Sequence, residues 1–289
     1  MNKKHLKTEI SFNIFFAVMA VLFFMPILLM ISIAFSDADS LMDGYSFIPR
    51  VFSFESLRVL SESGGGIGNA YIISILVTAV GTVLGVVIMS MIAYVISRKN
   101  YKPASVLSFI VFFTMIFSGG LVPTYIIITK YLMLQNTFWV LVLPNLIAPF
   151  HIILFKSFFM DISQEMFESA TIDGANEFVI YYKIAIPVSK PVVATVVLFT
   201  VLRFWNDWYT AMLYISRDEL IPIQYFMYRL ITNFEAFETN LSYYATTSNF
   251  PKEPTKMALA LVTAMPLMVV YPFLQKYFVK GITLGAVKG

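Results

Sequence analysis

The chain has 289 residues, 58% hydrophobic and 13% charged, with a formal net charge of +3 and a mean hydropathy of +0.78. Soluble globular domains carry roughly 25% charged residues, so this composition excludes that class and assigns most of the chain to lipid. No cysteine is present, which excludes disulfide and thiolate chemistry; two histidines, His5 and His151, argue against a metal site, and no dense basic run points to nucleic acid.

Six apolar runs follow one another, each long enough to cross a hydrocarbon core that needs about 20 residues. The first, Ile10 to Phe35, follows the basic "MNKKHLKTEI". It is longer than a signal-peptide core and no A-x-A site follows, so it reads as a retained span. The others run from Ile67 to Ile96, Ala104 to Thr129, Phe138 to Met160, Pro187 to Ile215 and Met257 to Phe278. Continuous rather than alternating apolar character favours helices over a barrel. The Gly-rich "SESGGGIGNA" at 61–70 lacks the context of a phosphate loop and reads as a flexible lead into the second span.

Lys and Arg set the orientation. Lys3, Lys4 and Lys7 precede the first span. Arg98, Lys99 and Lys102 lie between the second and third, Lys183 and Lys190 between the fourth and fifth, and Lys276, Lys280 and Lys288 after the sixth. The opposite loops are poorer for their length, which predicts both termini inside the cell.

One inside loop differs from the rest. "ESATIDGANEFVIYYKIAIP" at 168–187, with the residues before it, holds Asp161, Glu165, Glu168, Asp173 and Glu177. Asp161 with Gln164 forms a capping-box pattern. The helix it starts runs to about Asp173, and Gly174 supplies a left-handed stop. Asn176 can cap a second short helix carrying Phe178, Tyr181 and Tyr182, and Pro187 suits the first turn of the next span. A helix–turn–helix so rich in acid is a poor match to an anionic membrane surface and a good match to a basic pocket on another protein.

This stretch resembles the EAA motif of ATP-binding-cassette importer permeases, usually E-A-A, three residues, G, nine residues, I-x-L-P. Glu168, Ser169 and Ala170 match with one change, Gly174 falls at the right distance, and Ile184, Ile186 and Pro187 match with Ile for Leu. "FSGGLVPTYIIITKYLMLQNTFWVLVLPN" at 117–145 and "QKYFVKGITLGAVKG" at 275–289 extend the resemblance over essentially the whole chain, toward an oligosaccharide branch similar to the maltose-type second permease. The resemblance implies the type I importer permease fold: all-α, six transmembrane helices, both termini inside, one permease domain over 1–289. Its core would cover about 67–280, its coupling loop 161–187 and its C-terminal tail 279–289. It also implies that Glu168, Ser169, Ala170, Asp173, Gly174 and Pro187 serve docking of a cytosolic ATPase, and that Gly281, Gly285 and Lys288 carry the tail to it.

Two further sites stand outside that loop. "VLRFWNDWYTAML" at 201–213 places Arg203, Trp205, Asn206, Asp207 and Trp208 in the fifth span. Arg203 and Asp207, four apart, can pair on a helix face, either as a structural ion pair or as part of a substrate path with the two tryptophans. "GTVLG" makes Gly81 and Gly85 a small-xxx-small packing pair. His151 reads as a buried, hydrogen-bonded side chain rather than a proton relay, and the C-terminal tail as either frayed or seated on the ATPase.

The expected protein is a multi-pass permease subunit of an oligosaccharide importer in the bacterial cytoplasmic membrane. Its expected partners are a second, non-identical permease, an ATPase homodimer that binds ATP and Mg, an external solute-binding protein, glycan and lipid. With no Walker sequence, the chain itself needs no cofactor and is not an enzyme. The rival is an ion-coupled secondary transporter using Asp207, His151 and Arg203, which requires an inverted repeat with broken helices.

Overall fold

The computed structural model describes the backbone of residues 3–62, 66–241 and 251–286, and side chains over 9–61, 66–232 and 251–269. Fourteen α-helical segments are present among these residues: α1 Lys3–Ala34, α2 Glu55–Glu62, α3 Gly66–Ser97, α4 Ala104–Ile116, α5 Leu121–Ile126, α6 Phe138–Val142, α7 Pro149–Met160, α8 Gln164–Ile172, α9 Glu177–Ile180, α10 Ile186–Val188, α11 Lys190–Trp205, α12 Tyr209–Tyr214, α13 Ile223–Leu241 and α14 Lys252–Ala286. The chain divides into two compact units, Met1–Ile67 with Met227–Pro266 and Gly68–Phe226 with Leu267–Gly289.

In the first unit, α1 carries Phe12, Phe16 and Phe23 exposed, the last at 71%. An apolar face of that size suits lipid rather than water. Its C-terminal end is tied down by side-chain hydroxyls. Ser56 Oγ donates to the Ala34 carbonyl at 2.6 Å and Ser32 Oγ to the Ser46 carbonyl at 2.7 Å. A small core of Ala34, Leu60, Ala258 and Leu259 lies beside these bonds.

The second unit is built on α3, a 32-residue helix without a break. One face of α3 (Ile72, Leu76, Val83, Val87) is exposed, while the opposite stripe Val77, Thr78, Gly81, Thr82, Gly85 and Met89 is buried. α7 packs against α4 and α11.

Three expected spans are not single helices. α4 meets α5 at a bend of 110°, the α6 segment meets α7 at 50°, and the Glu177–Val188 segment meets α11 at 84°. Apolar composition carried the expectation of straight spans; local breakers overrule it. Gly120 adopts φ +86° at the first bend, Pro144 and Pro149 flank the second, and Ser189 separates α10 from α11 at the third. The fifth run breaks again where α11 stops at Trp205, ahead of Asn206. Pro187 lies before the 84° bend; Pro191, not Pro187, sits in the first turn of α11. The connection after Ile215 contains the 19-residue α13.

The freed backbone groups at the breaks find partners in the protein, as lipid requires. The Ala148 amide donates to Met89 Sδ at 3.2 Å. The Thr210 amide, in the first turn of α12, donates to Asp207 Oδ1 at 3.1 Å. The α3 glycines let these segments approach. A Cβ on Gly81 would lie 2.4 Å from the Phe204 ring, and one on Gly85 would lie 2.7 Å from the Leu146 carbonyl oxygen.

A ring can turn aside, whereas a carbonyl fixed in a helix break cannot. Gly85→Ala is therefore expected to cost about 1–3 kcal/mol as overpacking. Gly68→Ala, with nothing within 4 Å of the added carbon, serves as the control. Thermal unfolding in detergent checks this, and equal stability of the two variants would remove α3 as the close-packed support.

Candidate functional site

The acidic loop begins differently from the capping-box expectation. Asp161 terminates α7, and α8 starts after Ser163, with no side-chain cap on its first turn. The chain needs two residues, Ile162 and Ser163, to change direction between helices, so Asp161 is too early to cap α8. Glu165 lies in the first turn of α8, where the helix dipole favours a carboxylate.

The C-terminal end of α8 follows the sequence reading closely. The Gly174 amide donates to the Thr171 carbonyl at 3.0 Å and the Ala175 amide to the Ala170 carbonyl at 2.9 Å. With φ +82° at Gly174, this is a Schellman turn. Ala170 and Ala175, the two positions whose side chains meet in such a turn, both pack on the buried cluster of Met89, Phe155, Phe159 and Phe167. Ala170 is therefore held small by the protein's own interior. Asn176 Oδ1 accepts the Val179 amide at 2.9 Å and starts α9.

The outer side of the turn is free. Glu168, Ser169, Thr171, Asp173 and Gly174 are exposed, and Ile172 is 85% exposed. Phe178 and Tyr182 also project outward. Among the described residues, no hydrogen bond or ion pair engages the carboxylates of Glu165, Glu168 or Asp173. The loop thus presents apolar tips among unpaired negative charges on a turn with fixed geometry.

Its inner side is clamped to the end of α3. Tyr94 Oη donates to Glu177 Oε2 at 2.5 Å, and Arg98 Nη2 meets Glu177 Oε1 at 3.1 Å. The Arg98 guanidinium lies 4.2 Å above the Phe167 ring of α8, a cation–π contact. Ser90 Oγ and Tyr181 Oη share a buried hydrogen bond at 2.8 Å, and the Tyr94 and Tyr181 rings lie 5.3 Å apart. Ser90, Tyr94 and Arg98 are four apart, so one face of α3 holds α8 and α9 together. The sequence reading counted Arg98 only toward orientation and missed Tyr94 and Ser90. The spacing of four was visible, but its partners in the loop were not.

The fifth-span residues form a second cluster with a different geometry. Because α11 ends at Trp205, Arg203 and Asp207 do not share a helix face and form no direct ion pair. Asn145 bridges them, accepting from Arg203 Nη2 at 3.2 Å and donating to Asp207 Oδ2 at 2.5 Å. Asn145 also donates to Thr210 Oγ1 at 2.9 Å. The network fastens the break after α6 to the break after α11. Trp205 is buried and lies 6.2 Å from the Tyr71 ring, Trp208 is half-buried and Asn206 is exposed. His151 is buried and stacks on Phe199 at 5.9 Å, with no hydrogen bond at Nδ1. Gly281 and Gly285 fall within α14, which runs to Ala286; Lys288 lies outside the described residues.

If Tyr94 and Arg98 share Glu177, removing either partner should loosen the same segment. Tyr94→Phe and Glu177→Gln are each expected to speed amide hydrogen exchange over 175–180 by about tenfold, the effect of losing one charge-assisted bond of about 1.5 kcal/mol. The double variant should add little to either single one. Independent, additive effects would show that Tyr94 and Glu177 do not act through one contact.

Comparisons with known proteins agree with one another. Residues 81–284 match the family described as binding-protein-dependent transport system inner membrane component. The polygalacturonan/rhamnogalacturonan transport system permease protein YtcP of Bacillus subtilis (strain 168) is 35% identical over 280 residues, covering 96% of both chains. Protein LplC of the same strain is 34% identical over 268 residues, covering 92% of this chain and 89% of its own. A crystal structure of a bacterial ABC transporter involved in the import of the acidic polysaccharide alginate superposes with a TM-score of 0.82 at 27% identity, covering 96% of this chain and 99% of that one.

Proposed function

The chain belongs to the family of binding-protein-dependent transport system inner membrane components, and from that membership we propose that it is one permease half of an ATP-driven oligosaccharide importer. The names of its relatives, which concern polygalacturonan, rhamnogalacturonan and alginate, support a glycan cargo. The protein resides in the bacterial plasma membrane as a multi-pass chain. Broken helices alone would suit the ion-coupled rival, but they occur here in a chain related over nearly its full length to binding-protein-dependent permeases, and the rival is not favoured.

In this reading, six spans cross the membrane: α1, α3, the α4–α5 pair, the α6–α7 pair, α11 with α12, and α14. Both termini lie inside, and residues 1–289 act as a single permease domain. The observation that carries the reading is the exposed turn of α8. Glu168, Asp173 and Ile172 stand outward on a Schellman turn, a shape and charge that fit an apolar, basic-rimmed cleft of a cytosolic ATPase. Ser169, Ala170 and Gly174 give that turn its form, and Pro187 ends the loop. A second, non-identical permease presents the matching loop, so that each copy of an ATPase homodimer receives one. ATP and Mg belong to the ATPase, and this chain carries neither a cofactor nor an enzymatic site. A solute-binding protein delivers the glycan from outside.

Force transmission follows from the clamp. Closure of the ATPase moves α8; the Glu177–Tyr94–Arg98 contacts and the packing of Ala170 carry that motion into α3, α7 and α11. Asn206 and Trp208 stand at the far break of the fifth span, where they can meet incoming glycan. Arg203 and Asp207 hold the break through Asn145, and the buried Trp205 supports it. The C-terminal tail, with Gly281, Gly285 and Lys288, is assigned to ATPase contact by the family resemblance alone.

Two measurements test the reading. A side chain at the left-handed Gly174 costs about 1–2 kcal/mol, although no neighbour would block it. Gly174→Val should therefore insert normally yet lose about tenfold in ATPase co-purification and uptake, while Gly174→Asn keeps most of both. Normal uptake by Gly174→Val at normal expression would sink the coupling assignment. For topology, the native chain has no cysteine. Met42→Cys and Glu219→Cys should react with an impermeant maleimide in intact cells, and Lys102→Cys only after permeabilisation. The reverse pattern would invert the orientation.

A further inference from the structure

The end of α3 that holds the loop also borders an open hollow of about 420 Å³. Four cations line it: Arg98, Lys99 and Lys102 from the α3–α4 connection, and Lys156 from α7. No Asp or Glu lines it. Arg98 is engaged by Glu177, which leaves three lysines. Among the described residues, no carboxylate pairs with Lys99, Lys102 or Lys156.

Lys156 is the informative member. It lies one turn inside the end of α7, about 6 Å below that end, and is half-buried. A cation at that depth without a counter-charge is costly. Its Nζ donates to Ser108 Oγ at 2.8 Å, and that hydroxyl donates in turn to the Ala104 carbonyl at 2.6 Å. The serine therefore orients the ammonium without neutralising it. Two N–H donors remain for something else. Orientation by the positive-inside effect calls for basic residues in short connections; it does not call for a serine-held lysine from another helix facing the same hollow.

The neighbouring face of α4 supplies the second half of a ligand's description. Val106, Phe109, Ile110 and Phe113 recur at helical spacing and are all exposed. Ser105 lines the hollow, and Phe109 follows it by one turn on the same side of the helix. A cationic hollow thus opens onto a continuous apolar strip. The paired chemistry is that of a phosphate group attached to hydrocarbon chains.

We propose that this hollow binds the headgroup of an anionic phospholipid, with Lys99, Lys102 and Lys156 on the phosphate and the acyl chains along α4. The bound headgroup borders Arg98, the guanidinium that holds Glu177, so lipid occupancy and anchoring of the loop draw on the same side chain. The proposal depends on the importer reading only for placing this end of α3 at the bilayer surface.

The test uses the complete transporter in phosphatidylcholine vesicles containing a minor fraction of phosphatidylglycerol with photoactivatable acyl chains. Crosslinks should concentrate on the peptide containing 104–116, and photoactivatable phosphatidylcholine should give no such preference. Each cation near an anionic headgroup is worth about fivefold, so Lys102→Gln with Lys156→Gln should lower the crosslink about 25-fold. Lys156→Arg should retain it, and Phe109→Ser should weaken it. Equal crosslinking by the two lipids, or no change in the double variant assembled with its ATPase, would overturn the proposal. Displacement of the lipid by millimolar inorganic phosphate would assign the hollow to a soluble phosphate and overturn the lipid assignment. The readout involves neither uptake nor ATP hydrolysis, so a negative result leaves the importer reading intact, while a topology reversal in the maleimide experiment would remove the importer reading and leave the hollow at the opposite bilayer surface.

Discussion

Lipid supplies no hydrogen bonds, and three apolar segments of this protein are nevertheless broken. Every other feature of the second unit depends on how the exposed backbone at those breaks is satisfied and supported. The unbroken α3 provides the support. At Gly85 the absence of a side chain admits the Leu146 carbonyl, and at Gly81 it admits the Phe204 ring. Both neighbours belong to segments next to a break. Met89, one turn past Gly85, offers its sulfur to the Ala148 amide, and Asn145 then fastens one break to the other through Arg203, Asp207 and Thr210. Polar side chains that look out of place in an apolar run are in this way the partners that let the helices bend.

The same helix continues to the loop. Below the glycines, α3 turns from small residues to Ser90, Tyr94 and Arg98, and each of these contacts α8, α9 or the turn after it. Glu177 is exposed at its side chain and would contribute little as a simple surface ion pair. Its strength here comes from sharing one carboxylate between a buried tyrosine and an arginine stacked on Phe167. The loop is consequently stiff on its inner side and free on its outer side. That asymmetry suits the transmitting role proposed above, in which a partner pushes on the exposed turn and the push passes to the helices behind it.

Much of the loop is legible in the sequence. Gly174 had to be left-handed because a helix ending in Asp-Gly-Ala-Asn needs a residue without a Cβ to reverse, and Asn176 had to cap because its short side chain reaches the amide three residues on. These are short-range rules, and the backbone obeys them. Asp161 failed the same kind of rule because its candidate partner, Gln164, was in register but the chain had first to finish α7. Arg203 and Asp207 failed for a related reason. Spacing of four implies contact only while the helix continues, and the helix ends between them.

The amino-acid order by itself determined the lipid class, the apolar segments, the acidic helix–turn–helix and its family resemblance. All of these follow from local composition, capping and spacing. The tertiary structure alone decided which of the local breakers bend the apolar segments, that Ala170 packs inward, that Asn145 stands between Arg203 and Asp207, and that Tyr94 and Arg98 meet Glu177. It also brought Lys156 to the hollow lined by Arg98, Lys99 and Lys102. The contacts among these join residues tens of positions apart, and an apolar run with a Gly or Pro has the same composition whether straight or broken. The outcome rests on which neighbour can satisfy the freed backbone, a property of the packed protein and not of the run.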